Sequence, residues 1–376
     1  MNTIANREVQ QRVGGASLDV LRFLAAFFIM LFHCFDDISS KTSVFEPLLK
    51  QGWLGTDLFL ILSGVVMSRA YSNTISTGKI TFHDFIIKRY FRLFPSHAVV
   101  LIVFGIIITA VSISGYKLHD GWGYNFTDWI KQFTLSHAWG LKIHVWNFPT
   151  WTISTLIICY MLFYLTIKYI NKLPKIIVSL LAIMVIIAGN LIAQFVFNDR
   201  LVEIQTYPML RAMTFFMLGV FADIITRNLK INKPQYVCCA GLISATIVLL
   251  VYANDEYLNI LSVAKDNIII ALICILTVIS SRVNFKETKE TQELGKTSYS
   301  LYLVHAPTQL IGFEILRNLE GKAFYSEYVF WGVIAIMIIA SVAIAIWFKS
   351  YIDKPLANAT AKFLKNTQQI HMPKPI

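Results

Sequence analysis

Apolar runs of about 16–23 residues recur ten times along the chain, near 17–35, 53–72, 95–114, 150–170, 176–196, 207–226, 236–253, 266–281, 297–317 and 327–349. A helix needs roughly 20 such residues to cross the hydrocarbon core of a bilayer. In that solvent only helices and closed barrels satisfy their own backbone groups. The spacing predicts an all-α integral membrane protein of about ten transmembrane helices. Composition agrees, since 56% of the residues are hydrophobic and 15% are charged, against about a quarter charged in a soluble domain.

The charges between the runs orient them. With a cytoplasmic N-terminus, the inner segments carry 22 Lys and Arg and the outer loops 9, so the positive-inside rule places both termini in the cytoplasm. An even number of spans returns the chain to the side where it started. The formal charge of +11 thus reports membrane orientation and argues against nucleic-acid binding. The first run is too long for a cleaved signal peptide and no small-residue cleavage site follows it. The expected unit is a single domain over 1–376, with a membrane core at about 17–350 and cytoplasmic tails at 1–16 and 351–376. Cys34, Cys159, Cys238, Cys239 and Cys274 all fall in spans without metal-type spacing, and read as small core residues.

Some polar residues need a reason to be in lipid. Arg22 and His33 are eleven apart on the first span, about 20° beyond three full turns, so they share a face and lie roughly 16 Å apart along the axis. The second span, "GWLGTDLFLILSG" (Gly52–Gly64), brings Asp57 to a depth similar to His33. A carboxylate there could fix the tautomer of the imidazole and make it a general base. Gly52, Gly55 and Gly64 would let helices approach closely. In "FHDFIIKRYFRLFP" (Phe82–Pro95), Lys88, Arg89 and Arg92 alternate with bulky apolar residues. That pattern predicts an amphipathic surface helix before Pro95 opens the third span, serving either as a lipid anchor or as a seat for phosphates.

In "LGKTSYSLYLVHAP" (Leu294–Pro307), Ser298, Tyr302 and His305 share one face. Pro307 leaves the Leu303 carbonyl without its helical donor. The outer connection at about 115–149 holds Tyr116, Trp122, Tyr124, Trp129, Trp139 and Trp146, which suit either a membrane interface or stacking on sugars. His119, His137 and His144 lie there without ligand spacing, so no metal is assigned. No G-x-S-x-G, H-E-x-x-H or G-x-G-x-x-G motif is present.

Taken together, these stretches resemble the acyltransferase family 3 membrane proteins, which modify surface sugars and related acceptors. The likeness rests on Arg22 and His33 with ten residues between them, on Gly52–Gly64, and on Arg89, Arg92 and Pro95. It continues through "WTIS" (Trp151–Ser154), "RAMTFFMLGV" (Arg211–Val220), "GKTSYSLYLVHAP" and "DKP" (Asp353–Pro355), in order along the chain. Many members carry a glutamate where this chain has Leu156. The extracellular hydrolase-like domain of some members is not expected here.

The resemblance implies O-acyl transfer, commonly of acetyl, from cytosolic acetyl-CoA or another acyl-CoA to a hydroxyl of an extracytoplasmic glycan, glycolipid or lipid-linked saccharide. The acyl-CoA is a substrate, with no permanently bound cofactor, and the setting is a bacterial inner membrane. In that scheme Arg89, Arg92 and Lys88 hold the donor phosphates and Arg22 positions the thioester. His33, oriented by Asp57, takes the acceptor proton. Trp151, Arg211, Ser298, Tyr302 and His305 line the cavity. The competing reading is a transporter or flippase for a lipid-linked saccharide or organic anion, which would also need intramembrane Arg and His.

Overall fold

The computed structural model describes residues 15–38, 50–118, 123–140, 146–202, 207–229, 260–283 and 287–370, together with Ile231, Gln235 and Gly241. The helices are α1 (Gly15–Ile38), α2 (Leu54–Ser76), α3 (Phe82–Ile113), the short α4 (Phe126–Phe133), α5 (Trp151–Ile170) and α6 (Lys175–Phe197). They continue with α7 (Pro208–Thr226), α8 (Ile260–Arg282), α9 (Lys289–Leu319), α10 (Glu327–Phe348) and α11 (Lys354–Ile370). Among the described residues there is no strand; Ile231 and Val283 form one isolated bridge.

Eight of these helices are long and apolar enough to cross a membrane. α9 covers the expected ninth span 297–317 but is not among these eight, since Ser298, Ser300, His305, Gln309 and Glu314 lower the apolarity of that stretch. Apart from Gly241, the expected span 236–253 lies outside the described residues, as do Cys238, Cys239, His119, Trp122 and His144.

Local chemistry sets the helix starts. Thr81 accepts from the Asp84 N–H at 3.1 Å at the head of α3, and Thr288 and Thr291 cap each other reciprocally at α9, each satisfying N–H groups the helix leaves open. Two boundaries differ from the sequence expectation. α3 runs unbroken through Pro95, so the basic segment and the third span are one 32-residue helix. Proline removes one backbone donor, a loss membrane helices absorb through their neighbours. At the other end of the chain, a π turn at Lys349–Asp353 carries α10 directly into α11, so much of the expected tail is helical.

Packing is most extensive between α1 and α9 and between α2 and α7. The second pair crosses backbone on backbone. A Cβ at Gly64 would lie 2.0 Å from the Phe216 carbonyl oxygen, and one at Gly219 2.0 Å from that of Ile61. Phe85, Phe163, Phe215 and Phe216 fill the core around this crossing. α6 turns Ile176, Leu180, Ile183, Ile187 and Leu191 outward, a stripe suited to lipid.

The alternation of helices gives the bundle two ends. His33, Asp57, Trp151 and Arg211 lie toward one, and Arg22, Arg89, Arg92, Asp223 and Arg282 toward the other. α7 and α8 finish side by side at the second, where Arg282 donates to Asp223 at 2.7 Å.

Candidate functional site

At the histidine end, α1, α9 and the 3₁₀ turn Phe148–Thr150 meet. The His33 ring stacks on His305, with centroids 5.5 Å apart and planes 12° from parallel. Phe148 meets it edge-on at 4.6 Å. His305 Nδ1 lies 3.1 Å from the Leu301 carbonyl oxygen. A carbonyl can only accept, so Nδ1 carries the proton and Nε2 presents a lone pair. That Nε2 is buried without a hydrogen-bond partner among the described residues. His33 is half-buried. One turn before His305, the Tyr302 hydroxyl lies 2.6 Å from Thr152 Oγ1 and donates to the Pro149 carbonyl. Its ring stacks on Phe59 at 5.9 Å.

Asp57 does not orient His33. It is fully buried and accepts from Arg211 Nε at 2.7 Å. The Arg211 guanidinium sits 5.3 Å from the Trp53 ring and 5.9 Å from the Trp151 ring. A buried carboxylate needs a permanent countercharge, which a guanidinium supplies and an imidazole does not. Asp57 Oδ2 and Arg211 Nη2 remain without partners among the described residues, one acceptor and one donor on the same ion pair. His33 is held instead by ring contacts.

At the other end, three arginines from two helices converge. Arg22 pairs with Asp19 at 3.1 Å. Arg89 donates to the Tyr71 hydroxyl at 2.6 Å and lies over its ring. Arg92 reaches Asp353 at 3.3 Å, and Ser96 fixes the same carboxylate at 2.6 Å. The charges of Arg89, Arg22 and Arg92 all reach the buried Tyr160 hydroxyl, so they share one electrostatic environment. Lys88 lies beside them on α3 without an ion pair among the described residues. Ser298 is spent on its own helix, donating to the Gly295 carbonyl at 2.7 Å. Among the described residues no group of three His, Cys, Asp or Glu could hold a metal.

A family model described as an acyltransferase domain matches residues 16–349, nearly the whole chain. The chain belongs to the acyltransferase 3 family. No curated protein and no solved structure gives a significant match. Membership makes this bundle a membrane acyltransferase.

The acyltransferase also shows what its "WTIS" stretch does. Trp151 lies over Arg211 and Thr152 meets Tyr302. Ser154 donates to the Leu135 carbonyl at 2.7 Å and accepts from the Ala138 N–H at 3.2 Å. Leu156, where many relatives have glutamate, is buried in the apolar core.

The sequence did not single out the neutral network beneath these residues. Gln132 donates to Asn147 O at 2.6 Å and to Thr150 Oγ1 at 2.7 Å. Its own carbonyl lies 2.9 Å from His97 Nε2. Asn147 donates to Leu303 O at 2.8 Å, filling the acceptor that Pro307 opens. Pro307 announced the vacancy in sequence; nothing there pointed to Asn147. Several outer aromatics pack on one another while staying part-exposed: Trp129 stacks between Phe126 and Phe133, and Trp146 packs on Tyr124 and Phe104. Trp139, tied by Nε1 to Ser154 O at 3.1 Å, keeps 47% of its surface exposed.

Proposed function

We propose that this acyltransferase moves an acyl group, commonly acetyl, from a cytosolic acyl-CoA to a hydroxyl of an extracytoplasmic glycan or glycolipid. The supporting observation is the pairing of two unlike sites in one bundle. Three arginines gather at one end, and at the other a half-buried histidine is stacked on a second histidine. Arg22 and His33 on α1 join the two, so one helix face spans from donor to acceptor. In this reading the arginine end faces the cytoplasm, as the positive-inside rule expects.

In this reading Arg89 and Arg92, with Lys88 beside them, bind donor phosphates through charge-assisted hydrogen bonds. Asp353 and Tyr71 hold those two guanidiniums in place. The acyl arm runs inward past Arg22. His33 takes the proton of the acceptor hydroxyl as its oxygen attacks the thioester carbonyl carbon. The C–S bond then breaks, and the departing thiolate takes up the proton that His33 holds, which returns the imidazole to its neutral form. A well-placed base contributes about 10²–10⁴ in rate to such a step. His305 supports His33 by stacking and offers its Nε2 lone pair beside it. Trp139, with its indole anchored and its face open, suits contact with a sugar ring.

The test is transfer of labelled acetyl from acetyl-CoA to glycan in membranes carrying wild type or His33→Ala at matched protein levels. Label with wild type and none with the mutant supports the assignment. Equal labelling in both removes His33 from the chemistry. Movement of a lipid-linked saccharide across vesicles without any acyl-CoA would favour transport instead.

A further inference from the structure

The connection between α3 and α5 does not stay at the histidine end of the bundle. Tyr124 packs on Phe104 at 5.8 Å, Trp129 Nε1 donates to the Leu101 carbonyl at 3.4 Å, and Phe133 meets Phe94 edge-on at 5.4 Å. Phe104 and Phe94 are ten residues apart on α3, so α4 descends about 15 Å along it, toward the arginine end. Leu135 then turns the chain in a left-handed conformation, φ 58°, and irregular backbone follows inside the bundle. Such backbone persists at membrane depth only where the protein or a water-filled cavity fills its hydrogen bonds.

Gln132, near the end of α4, is fully buried and grips one residue. Its side-chain amide pairs with both backbone groups of Asn147: Nε2 donates to the carbonyl at 2.6 Å and Oε1 accepts from the N–H at 3.0 Å. Nε2 also donates to Thr150 Oγ1 at 2.7 Å. The Asn147 carbonyl already receives the Thr150 N–H at 3.1 Å and the Thr150 hydroxyl at 2.7 Å. A carbonyl has two lone pairs, so satisfaction alone does not call for the third donor. Gln132 is itself pinned, since its backbone carbonyl accepts from His97 Nε2 of α3 at 2.9 Å.

Asn147 stands between the two walls that hold His33. It precedes Phe148 in the chain, and Phe148 meets the His33 ring edge-on at 4.6 Å. Its Nδ2 donates to the Leu303 carbonyl at 2.8 Å, two residues before His305, which stacks on His33 with centroids 5.5 Å apart. The spacing of Phe148 from His305 therefore passes through Asn147, and the backbone of Asn147 is set by Gln132.

We propose that Gln132 is a positioning residue for acyl transfer. By gripping the Asn147 backbone it sets the slot between Phe148 and His305, and so the place from which the His33 ring meets the acceptor hydroxyl. The role of His33 as base rests on the acyl-transfer reading; the slot itself does not. Misplacing a reacting group by about 1 Å can cost about 10²-fold in rate, so loosening one amide that never touches substrate is enough to slow the reaction.

Two readouts test this on the full chain. The first is NMR of isotope-labelled histidine in nanodiscs, with the His33 signal identified by its loss in His33→Ala. Gln132→Met is nearly isosteric and removes all three side-chain bonds; it should move the His33 signal in the direction that Phe148→Leu moves it. The second is labelled acetyl transfer from acetyl-CoA to glycan in membranes at matched protein levels. Gln132→Met should lower kcat about 10–100-fold and leave the KM for acetyl-CoA unchanged. In a Phe148→Leu background the same change should cost no more than about twofold further, since residues that act through one another are not additive. Gln132→Asn, which keeps a buried amide one methylene short, is read the same way if the methionine variant does not fold. An unmoved His33 signal in the folded variant overturns the proposal. So does a loss of rate that is fully additive with Phe148→Leu, or one carried by KM, which would mark Gln132 as a packing element. A moved signal together with no acetyl transfer by wild type keeps the slot and overturns the acyl-transfer reading instead.

Discussion

At the histidine end most polar groups are neutral and satisfy one another over short distances: Gln132, Asn147, Thr150, Thr152, Tyr302 and Ser154 form a buried lattice. Two buried ion pairs, Asp57–Arg211 and Arg200–Asp266, stand among them. At the arginine end the polar groups are charged. Arg22, Arg69, Arg92, Arg227 and Arg282 share Asp19, Asp223 and Asp353, several of them part-exposed. A neutral saturated network holds atoms in fixed positions and responds little to salt. A charged, part-exposed network responds strongly to salt. The difference fits a division in which one end fixes the geometry of proton transfer and the other captures a charged substrate.

The largest effect should come from breaking the Asp57–Arg211 ion pair of the histidine end. Asp57→Ala strands a buried guanidinium and should cost about 3–5 kcal/mol, read as loss of folded protein in detergent. Asp57→Leu with Arg211→Met removes both charges and should recover most of that stability while leaving activity low. Full activity in the double variant would reduce the pair to a packing element.

Acid should strike the same end next. Burial pushes His137 down from an ordinary value near 6.5 to about 3, helped by nearby His97. The neutral ring's contribution to stability is therefore complete above about pH 6.5 and is lost as pH falls toward 3. By pH 5 the loss should reach about 2 kcal/mol. His137→Gln should flatten the pH dependence of thermal unfolding between pH 7 and 5. An unchanged slope would place the acid sensitivity elsewhere.

The arginine end should respond more mildly and in a different observable. Asp353→Asn loosens the hold on Arg92 and should raise the KM for acyl-CoA a few-fold with little change in kcat, as expected when binding alone is weakened. A fall in kcat at constant KM would contradict that role. The smallest effect belongs to Glu293, whose carboxyl is held down at about 2 by hydrogen bonds from Lys349 and Lys296. Lys349→Met should let it titrate nearer the ordinary carboxylate range, visible by NMR of labelled Glu, with unfolding at neutral pH barely shifted. An unmoved titration would show that Lys296 suffices.

Much of this was legible in the chain because the bilayer is an unforgiving solvent. Long apolar runs declared the helices, and the rarity of Arg22, His33 and Asp57 in such runs marked them for attention, while Arg211 entered through the family resemblance. Gly52, Gly55 and Gly64 foretold close helix approach, and a Cβ at each would clash with a neighbouring helix. Pro307 disclosed an open carbonyl. Each of these is a local property, fixed by a few consecutive residues and the medium around them.

What the tertiary structure decided was partnership. Equal depth suggested Asp57 for His33, but depth is one coordinate, and azimuth and helix order are set by packing. The backbone crossing of α2 and α7 at Gly64 and Gly219 brings Arg211 to Asp57, and the packing of α1 on α9 brings His305 to His33. In the same way Arg69, Arg227 and Arg282, scattered over more than two hundred residues, looked like ordinary inner-loop charges. Only the meeting of α2, α7 and α8 gathers them around Asp223, because long-range contacts are fixed by the whole bundle's packing and leave no mark on any short stretch of sequence.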